Sequence, residues 1–197
     1  MQNPSAPAIV LASSSPYRRG LLDRFLTEYK AVSPDVDESN DLGLDPEHLA
    51  THLARKKAEA VSANARQALV IGADQLAVLD DRVLGKPGGH QKAVEQLLAA
   101  SGHAIRFLTA VCILDPVNRT RYEHQDRSIV HFRQFDRRLA EAYLRLDKPY
   151  DCAGSIKLEG AAFVLFDSVD TDDPTALIGL PMIWVADRLL QLRYLLS

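Results

Sequence analysis

Asp74 places an acid in an otherwise apolar stretch, Ile71-Gly72-Ala73-Asp74-Gln75-Leu76. A carboxylate in a buried strand costs several kcal/mol unless it is paired, bound to a metal or turned toward a cleft. Asp74 is therefore a candidate functional residue. A second constellation, Ser13, Ser15, Arg18 and Arg19, lies between an apolar run and the start of a helical pattern. Hydroxyls, free backbone N–H groups and guanidinium groups at a helix start suit a phosphate. The two arginines also stand at the end of the helix dipole that favours carboxylates. The competing reading is an ordinary N-cap followed by two solvated arginines. The segment lacks the glycines of a Walker loop or a dinucleotide fingerprint. Lys57, Lys86 and Lys157 supply further positive charge, although each alone reads as a surface lysine. Glu38, in Asp35-Val36-Asp37-Glu38-Ser39, is a second acid in a turn-rich stretch.

Three other patterns carry less. His48 and His52 are four residues apart on a helix but have no evident third ligand. Cys152 has no neighbouring base in sequence. Asp170, Asp172 and Asp173 lack the spacing and terminal glutamate of a calcium loop.

The elements that must position these residues follow from pattern and caps. Ala8–Ala12 reads as a buried strand, and Ser15-Pro16 opens a helix expected to run to about Leu26. A strand is expected over Tyr29–Ser33. Asp45-Pro46 opens a longer helix to about Ala63. The pattern predicts a strand over Ala68–Ala73, an interruption at Asp74-Gln75 and a resumption at Leu76–Leu79. A tight turn then leads to Val83-Leu84, the loop Gly85–Gly89 and a helix over His90–Ala100 stopped by Gly102. Two long β patterns, Ala104–Leu114 and Arg121–Phe132, are joined by the turn Asp115–Asn118. Asp136 caps a helix to about Leu146. Ala161–Val169 reads as a strand and Pro181–Leu196 as a closing amphipathic helix.

With 197 residues, 47% of them hydrophobic and 25% charged, the chain can bury a core without metal or disulfide support. Lys+Arg 23 against Asp+Glu 26 leaves a net charge of -3, so no global field draws it to a nucleic-acid polymer or an anionic membrane. The longest apolar run, Ala176–Ala186, is too short to span a bilayer. Two cysteines make no disulfide framework, and the N-terminus does not read as a secretory leader, so a cytoplasmic protein is expected. The expected fold is α/β: one domain, residues 8–197, behind a flexible extension, residues 1–7. Its mixed twisted sheet is flanked by helices, with two lobes around a cleft.

Taken in order, these segments resemble the Maf family of nucleoside triphosphate pyrophosphatases. The resemblance is carried by Leu11-Ala12-Ser13-Ser14-Ser15-Pro16-Tyr17-Arg18-Arg19, Asp37-Glu38 and Leu53-Ala54-Arg55-Lys56-Lys57-Ala58. It continues through Ile71-Gly72-Ala73-Asp74-Gln75, Gly85-Lys86-Pro87, Gly154–Gly160 and Leu177-Ile178-Gly179-Leu180-Pro181, nearly the whole chain. It implies a Maf/ITPase-like fold and hydrolysis between the α and β phosphates of a nucleotide. Asp74 stands at the position of the proton acceptor. Glu38 and Asp74 would hold a divalent metal cation, Mg²⁺ or Mn²⁺, and Ser13, Ser15, Arg18, Arg19, Lys57 and Lys86 would meet the phosphates. A small-molecule nucleotide is the expected partner, and a second copy of the chain is a candidate one.

Within the family, three positions are similar to the branch acting on 7-methyl-GTP. The pyrimidine branch has Ser-Pro-Arg-Arg, Asp-Thr and Ile-Gln-Gly where this chain has Ser15-Pro16-Tyr17-Arg18, Asp74-Gln75 and Leu158-Glu159-Gly160. Members of the 7-methyl-GTP branch carry Trp at the place of Tyr17, which keeps an aromatic face. N7-methylation makes guanine cationic, and an aromatic ring attracts it. Glu159 can accept from its N1–H and exocyclic amine together. Tyr17, Gln75 and Glu159 are thus the expected specificity residues. A dTTP/UTP pyrophosphatase and a nucleotide-binding cell-division regulator with little turnover remain the alternatives.

Overall fold

The computed structural model describes residues 2–3 and 6–195. Among them, β1 (Ile9–Ala12), β2 (Lys30–Val32), β3 (Leu69–Leu79), β4 (Arg82–Leu84), β5 (Ala104–Asp115), β6 (Thr120–Phe132) and β7 (Phe166–Asp170) form one sheet. Its order is β2-β1-β3-β5-β6-β7, with β4 paired to β3. β1 runs parallel to both β2 and β3, and the remaining pairs are antiparallel, so the sheet is mixed as expected. The helices are α1 (Pro16–Leu22), α2 (Pro46–Ser62), α3 (His90–Ala100), α4 (Arg137–Asp147) and α5 (Met182–Gln191). Among the described residues, no helix is long and apolar enough to cross a membrane.

The expected caps are present. Ser15, Asp45 and Asp136 accept from the backbone N–H of Arg18, His48 and Leu139, each three residues into its helix. Asp115 accepts from the N–H groups of Val117 and Asn118 and from the Asn118 amide, which closes the β5–β6 hairpin.

Four expectations are corrected. β3 is not interrupted at Asp74-Gln75: it pairs without a break to β5, Asp74 opposite Ala110 and Gln75 opposite Thr109. Backbone pairing does not depend on side-chain polarity, and the acid is accommodated by a partner described below. α1 ends at Leu22 rather than Leu26, because Arg24 and Phe25 donate three residues back and tighten the chain into turns. Ala162–Leu165 is a 3-10 turn, and the strand begins only at Phe166. The closing helix ends at Gln191, after which Arg193 takes a left-handed conformation (φ 61) and the Tyr194 N–H returns to the Leu189 carbonyl. The last residue of the expected helix, 196, lies outside the described residues.

The core has three apolar clusters. On one sheet face α2 packs Ala50, Ala54, Ala58 and Val61 against Val70 and Val78 of β3 and Leu108, Ala110 and Cys112 of β5. On the other face, α1 and α5 cover Leu69, Ile71 and Ala73, while α3 and α4 cover Ala77 and Leu79. These two clusters are the lobes, and Gln75 stands between them on the same face of β3, by the alternation of a strand.

The approach of α2 to β3 is closer than any side chain would allow. A Cβ on Gly72 would lie 2.4 Å from the Ala54 carbonyl oxygen and 2.6 Å from the Ala58 nitrogen. Both are backbone atoms of α2 and cannot swing aside. Gly72→Ala should therefore destabilise the protein by about 1–3 kcal/mol, as overpacking does. Urea unfolding checks this, and unchanged stability would show that the contact has slack.

Candidate active site

The partner of Asp74 is Lys57. Asp74 lies on the α2 side of β3 with 5% of its surface exposed, and Lys57, 6% exposed, projects from the sheet-facing side of α2. Lys57 Nζ is 2.5 Å from Asp74 Oδ1 and 2.7 Å from Glu38 Oε1. Glu38 comes from the loop between β2 and α2. Lys56 secures that loop by donating to the Asp37 carbonyl at 2.6 Å. The Asp37 side chain in turn accepts from the N–H and hydroxyl of Ser39. Consecutive lysines on α2 thus fix consecutive residues of the acidic loop.

Arg18 reaches the same place from α1. Its Nε donates to the Gly179 carbonyl at 2.9 Å, and its Nη1 lies 3.4 Å from the Ser13 hydroxyl. Ser13 also accepts from the Ser15 N–H at 3.1 Å. Gly179 has φ 130, a conformation that strains any other residue, and a Cβ there would sit 3.3 Å from the Arg18 side chain, which would have to give slightly.

The electrostatics follow from burial. Desolvation raises the Asp74 pKa above the ordinary carboxylate value; the charges of Lys57 and Arg18 oppose the shift and that of Glu38 adds to it. For Glu38 burial also acts upward, but the hydrogen bond and charge of Lys57, with Lys86 and Arg18 behind it, outweigh it and hold its carboxyl low. Burial works against the charge on Arg18, with Asp74 and Glu38 offsetting part of the effect. Two acids in contact with one ammonium are thereby driven in opposite directions, a pattern that suits acid–base work.

The structure brings Ser13, Arg18, Glu38, Lys57 and Asp74 together. Lys86, exposed in the loop after β4, joins them through its charge on Glu38. Arg19 is not drawn in: it is exposed, its charge acts on Tyr29, and its carbonyl accepts from the Tyr29 hydroxyl. The Ser15 hydroxyl is spent on the cap of α1. Gln75 uses its side-chain nitrogen within the protein. Its Nε2 donates to the Ala176 and Leu177 carbonyls at 2.8 and 3.2 Å and to the Thr109 hydroxyl at 3.0 Å, which secures the turn that ends in Gly179.

Tyr17 lies apart from this cluster, against the 151–159 segment. Its hydroxyl faces Asp151 at 3.5 Å, and its pKa is raised by burial, by Cys152 and by the charges of Asp151 and Glu159. Burial pushes the Cys152 thiol up to about 11, which leaves it a poor nucleophile. His48 bonds its own cap, Asp45, and no group of three or more His, Cys, Asp or Glu able to hold a metal occurs among the described residues.

Sequence reasoning missed Gln96. It is buried in the apolar stripe of α3, donates to the Gly85 carbonyl at 2.9 Å and accepts from the Ser155 hydroxyl at 2.6 Å. It thereby ties the Lys86 loop to the segment that leads to Glu159. An amide among Ala93, Val94, Leu97 and Ala100 was the available signal. Asp147 was missed as well: it accepts from the Ala161 N–H at 2.7 Å, close against Gly160.

The sequence profile of the family described as "Maf-like protein" matches residues 8–192. A protein of Cupriavidus metallidurans called "7-methyl-GTP pyrophosphatase" is 45% identical over 183 residues, 93% of this chain and 92% of its own. Proteins with the same name from Albidiferax ferrireducens and Pseudomonas aeruginosa are 47% and 44% identical over 185 residues each. These cover 93% and 94% of this chain and 92% and 96% of their own. Among solved structures, the Ham1 protein of Staphylococcus aureus matches with TM-score 0.43 and 19% identity, over 64% of this chain and 71% of that one.

The raised Asp74 pKa has a consequence for stability. Between the ordinary value of 3.8 and the raised folded value, the folded chain binds more protons than the unfolded one. Stability therefore falls as pH rises through that window. Asn at this position does not titrate. In urea unfolding at a series of pH values, the wild type should lose stability relative to Asp74→Asn as pH climbs from about 4 toward neutrality. A relative gain over that range would mean that the shift runs downward.

Proposed function

The chain belongs to the Maf-like family, and from that premise we infer that it is a pyrophosphatase that hydrolyses 7-methyl-GTP to 7-methyl-GMP and diphosphate. The observation that carries this reading is the buried Asp74 carboxylate, pushed toward basicity and flanked by the cationic Lys57 and Arg18. Asp74 takes a proton from a water as its oxygen bonds to the α-phosphorus. The bond from that phosphorus to the bridging oxygen breaks, and its electron pair leaves with diphosphate. Lys57, Arg18 and Lys86, carried on α2, α1 and the loop after β4, offset the negative charge of the triphosphate. No protein nucleophile is needed: positioning and charge stabilisation supply the acceleration.

A divalent metal, Mg²⁺ or Mn²⁺, fits the donor set. Glu38 and Asp74 present hard carboxylate oxygens and already converge on one cation, the Lys57 ammonium. Such ions commonly take one or two carboxylates together with substrate phosphates and waters. When bound, the ion would neutralise phosphate charge and ease the departure of diphosphate.

For the base, the Tyr17 ring offers the π-face and Glu159 the acceptor. The two lie near enough for the Glu159 charge to act on the Tyr17 hydroxyl. Gln75 acts on substrate choice through the wall it shapes, since its Nε2 holds the 176–178 turn.

Release of diphosphate from 7-methyl-GTP, GTP, dTTP and UTP, with Mg²⁺ or Mn²⁺ added, tests this assignment. The wild type should favour 7-methyl-GTP, and a preference for dTTP or UTP would refute the methylguanine reading. Asp74→Asn should lower kcat roughly a hundredfold or more while remaining folded. In the wild type, the acid limb of kcat/KM should lie above the ordinary carboxylate range. Glu159→Gln should erode the preference for 7-methyl-GTP over GTP by about 1.5–3 kcal/mol, the range for a hydrogen bond to a charged group. Unchanged substrate ratios would remove Glu159 from base recognition.

A further inference from the structure

Lys157 is a half-buried lysine that makes no ion pair among the described residues. Its Nζ instead lies over the Tyr17 ring, 5.7 Å from the centroid. Its backbone is fixed: the Lys157 N–H donates to the Tyr143 hydroxyl at 2.9 Å, and the Ala161 N–H donates to Asp147 Oδ2 at 2.7 Å. Tyr143 and Asp147 both belong to α4. The segment is thus fastened to one lobe at both ends, and the Lys157 side chain crosses to an aromatic ring carried by α1 of the other lobe.

The surroundings of that ring select for positive charge. Asp151 lies 3.5 Å from the Tyr17 hydroxyl, and the Glu159 charge acts on the same group. An aromatic face rimmed by carboxylates binds cations, and here the chain supplies one of its own. Lys157 is also not among the charges that act most on Asp74 or Glu38.

We propose that Lys157 is an intramolecular competitor for the base-stacking face: its ammonium holds the Tyr17 ring in the free protein, and an incoming base must displace it. This rests on the reading of Tyr17 as the stacking residue. Every base that stacks there meets the same cost, so Lys157 weakens affinity while leaving the ratio between bases to Tyr17 and Glu159. A cation–π contact at such a site corresponds to roughly a two- to fivefold loss of affinity.

Calorimetric titration with 7-methyl-GMP, which carries the base, and with pyrophosphate, which does not, separates the two roles open to Lys157. Lys157→Ala clears the ring and should tighten 7-methyl-GMP roughly two- to fivefold while leaving pyrophosphate unchanged. Lys157→Arg keeps a cation on the ring and should show no such gain. In a Tyr17→Leu background, Lys157→Ala should have no effect on 7-methyl-GMP. Unchanged or weaker 7-methyl-GMP binding by Lys157→Ala, or weaker pyrophosphate binding, overturns the proposal. If the wild type instead prefers dTMP or UMP, the substrate assignment fails and the same variants are measured on that nucleotide. A Tyr17-dependent gain there still supports Lys157 as competitor, and no gain refutes it.

Discussion

One ammonium group buried between two carboxylates organises this molecule. Lys57 is withdrawn from water almost completely, yet it contacts Asp74 on β3 and Glu38 on the loop after β2. Removing Lys57 would leave the buried Asp74 carboxylate without its nearest counter-charge, a loss that typically costs about 3–5 kcal/mol in such pairs. The arrangement is possible only because α2 lies nearly on the backbone of β3, at a spacing set by Gly72, Ala54 and Ala58. Small residues on the helix face and a missing side chain on the strand are therefore part of the site, although none of them performs chemistry.

The second constraint is connection between lobes. Arg18 on α1 is anchored by the carbonyl of Gly179, and the turn that ends in Gly179 is held in place by Gln75 from the middle of β3. On the other side, Gln96 joins the Lys86 loop to Ser155, and Asp147 and Tyr143 of α4 secure the segment bearing Lys157 and Glu159. Arg18 and the segments bearing Lys86 and Glu159 are thus supported by neutral or backbone partners outside the site, whereas Lys57 is held by two carboxylates within it. Such support restricts motion at the reacting atoms, which catalysis by positioning requires.

Legibility in the sequence followed the range of the interaction. Helix starts were clear because Ser15, Asp45 and Asp136 act on N–H groups three residues away. Helix and strand ends were less clear: α1 closes through local bonds three residues back at Arg24 and Phe25, and the turn before β7 is met from a distance by the Arg133 N–H, which donates to the Leu165 carbonyl. Asp74 was visible as an anomaly, but the sequence suggested that it breaks its strand. With Lys57 opposite, the strand runs on unbroken. Adjacent arginines looked equivalent, whereas in the structure Arg18 turns inward and Arg19 outward.

By itself the sequence determined the element types, the mixed sheet and the set of ionisable residues, because caps, hydrophobic period and composition are local properties. The ordered motifs also point to the family. Tertiary structure alone decided which residues act together. It paired Asp74 with Lys57, tied the Gln75 side-chain nitrogen to the 176–178 turn, and laid Lys157 over Tyr17. The reason is physical: a pKa and a cation–π contact depend on burial and on distances across the fold, and the spacing of residues along the chain encodes neither.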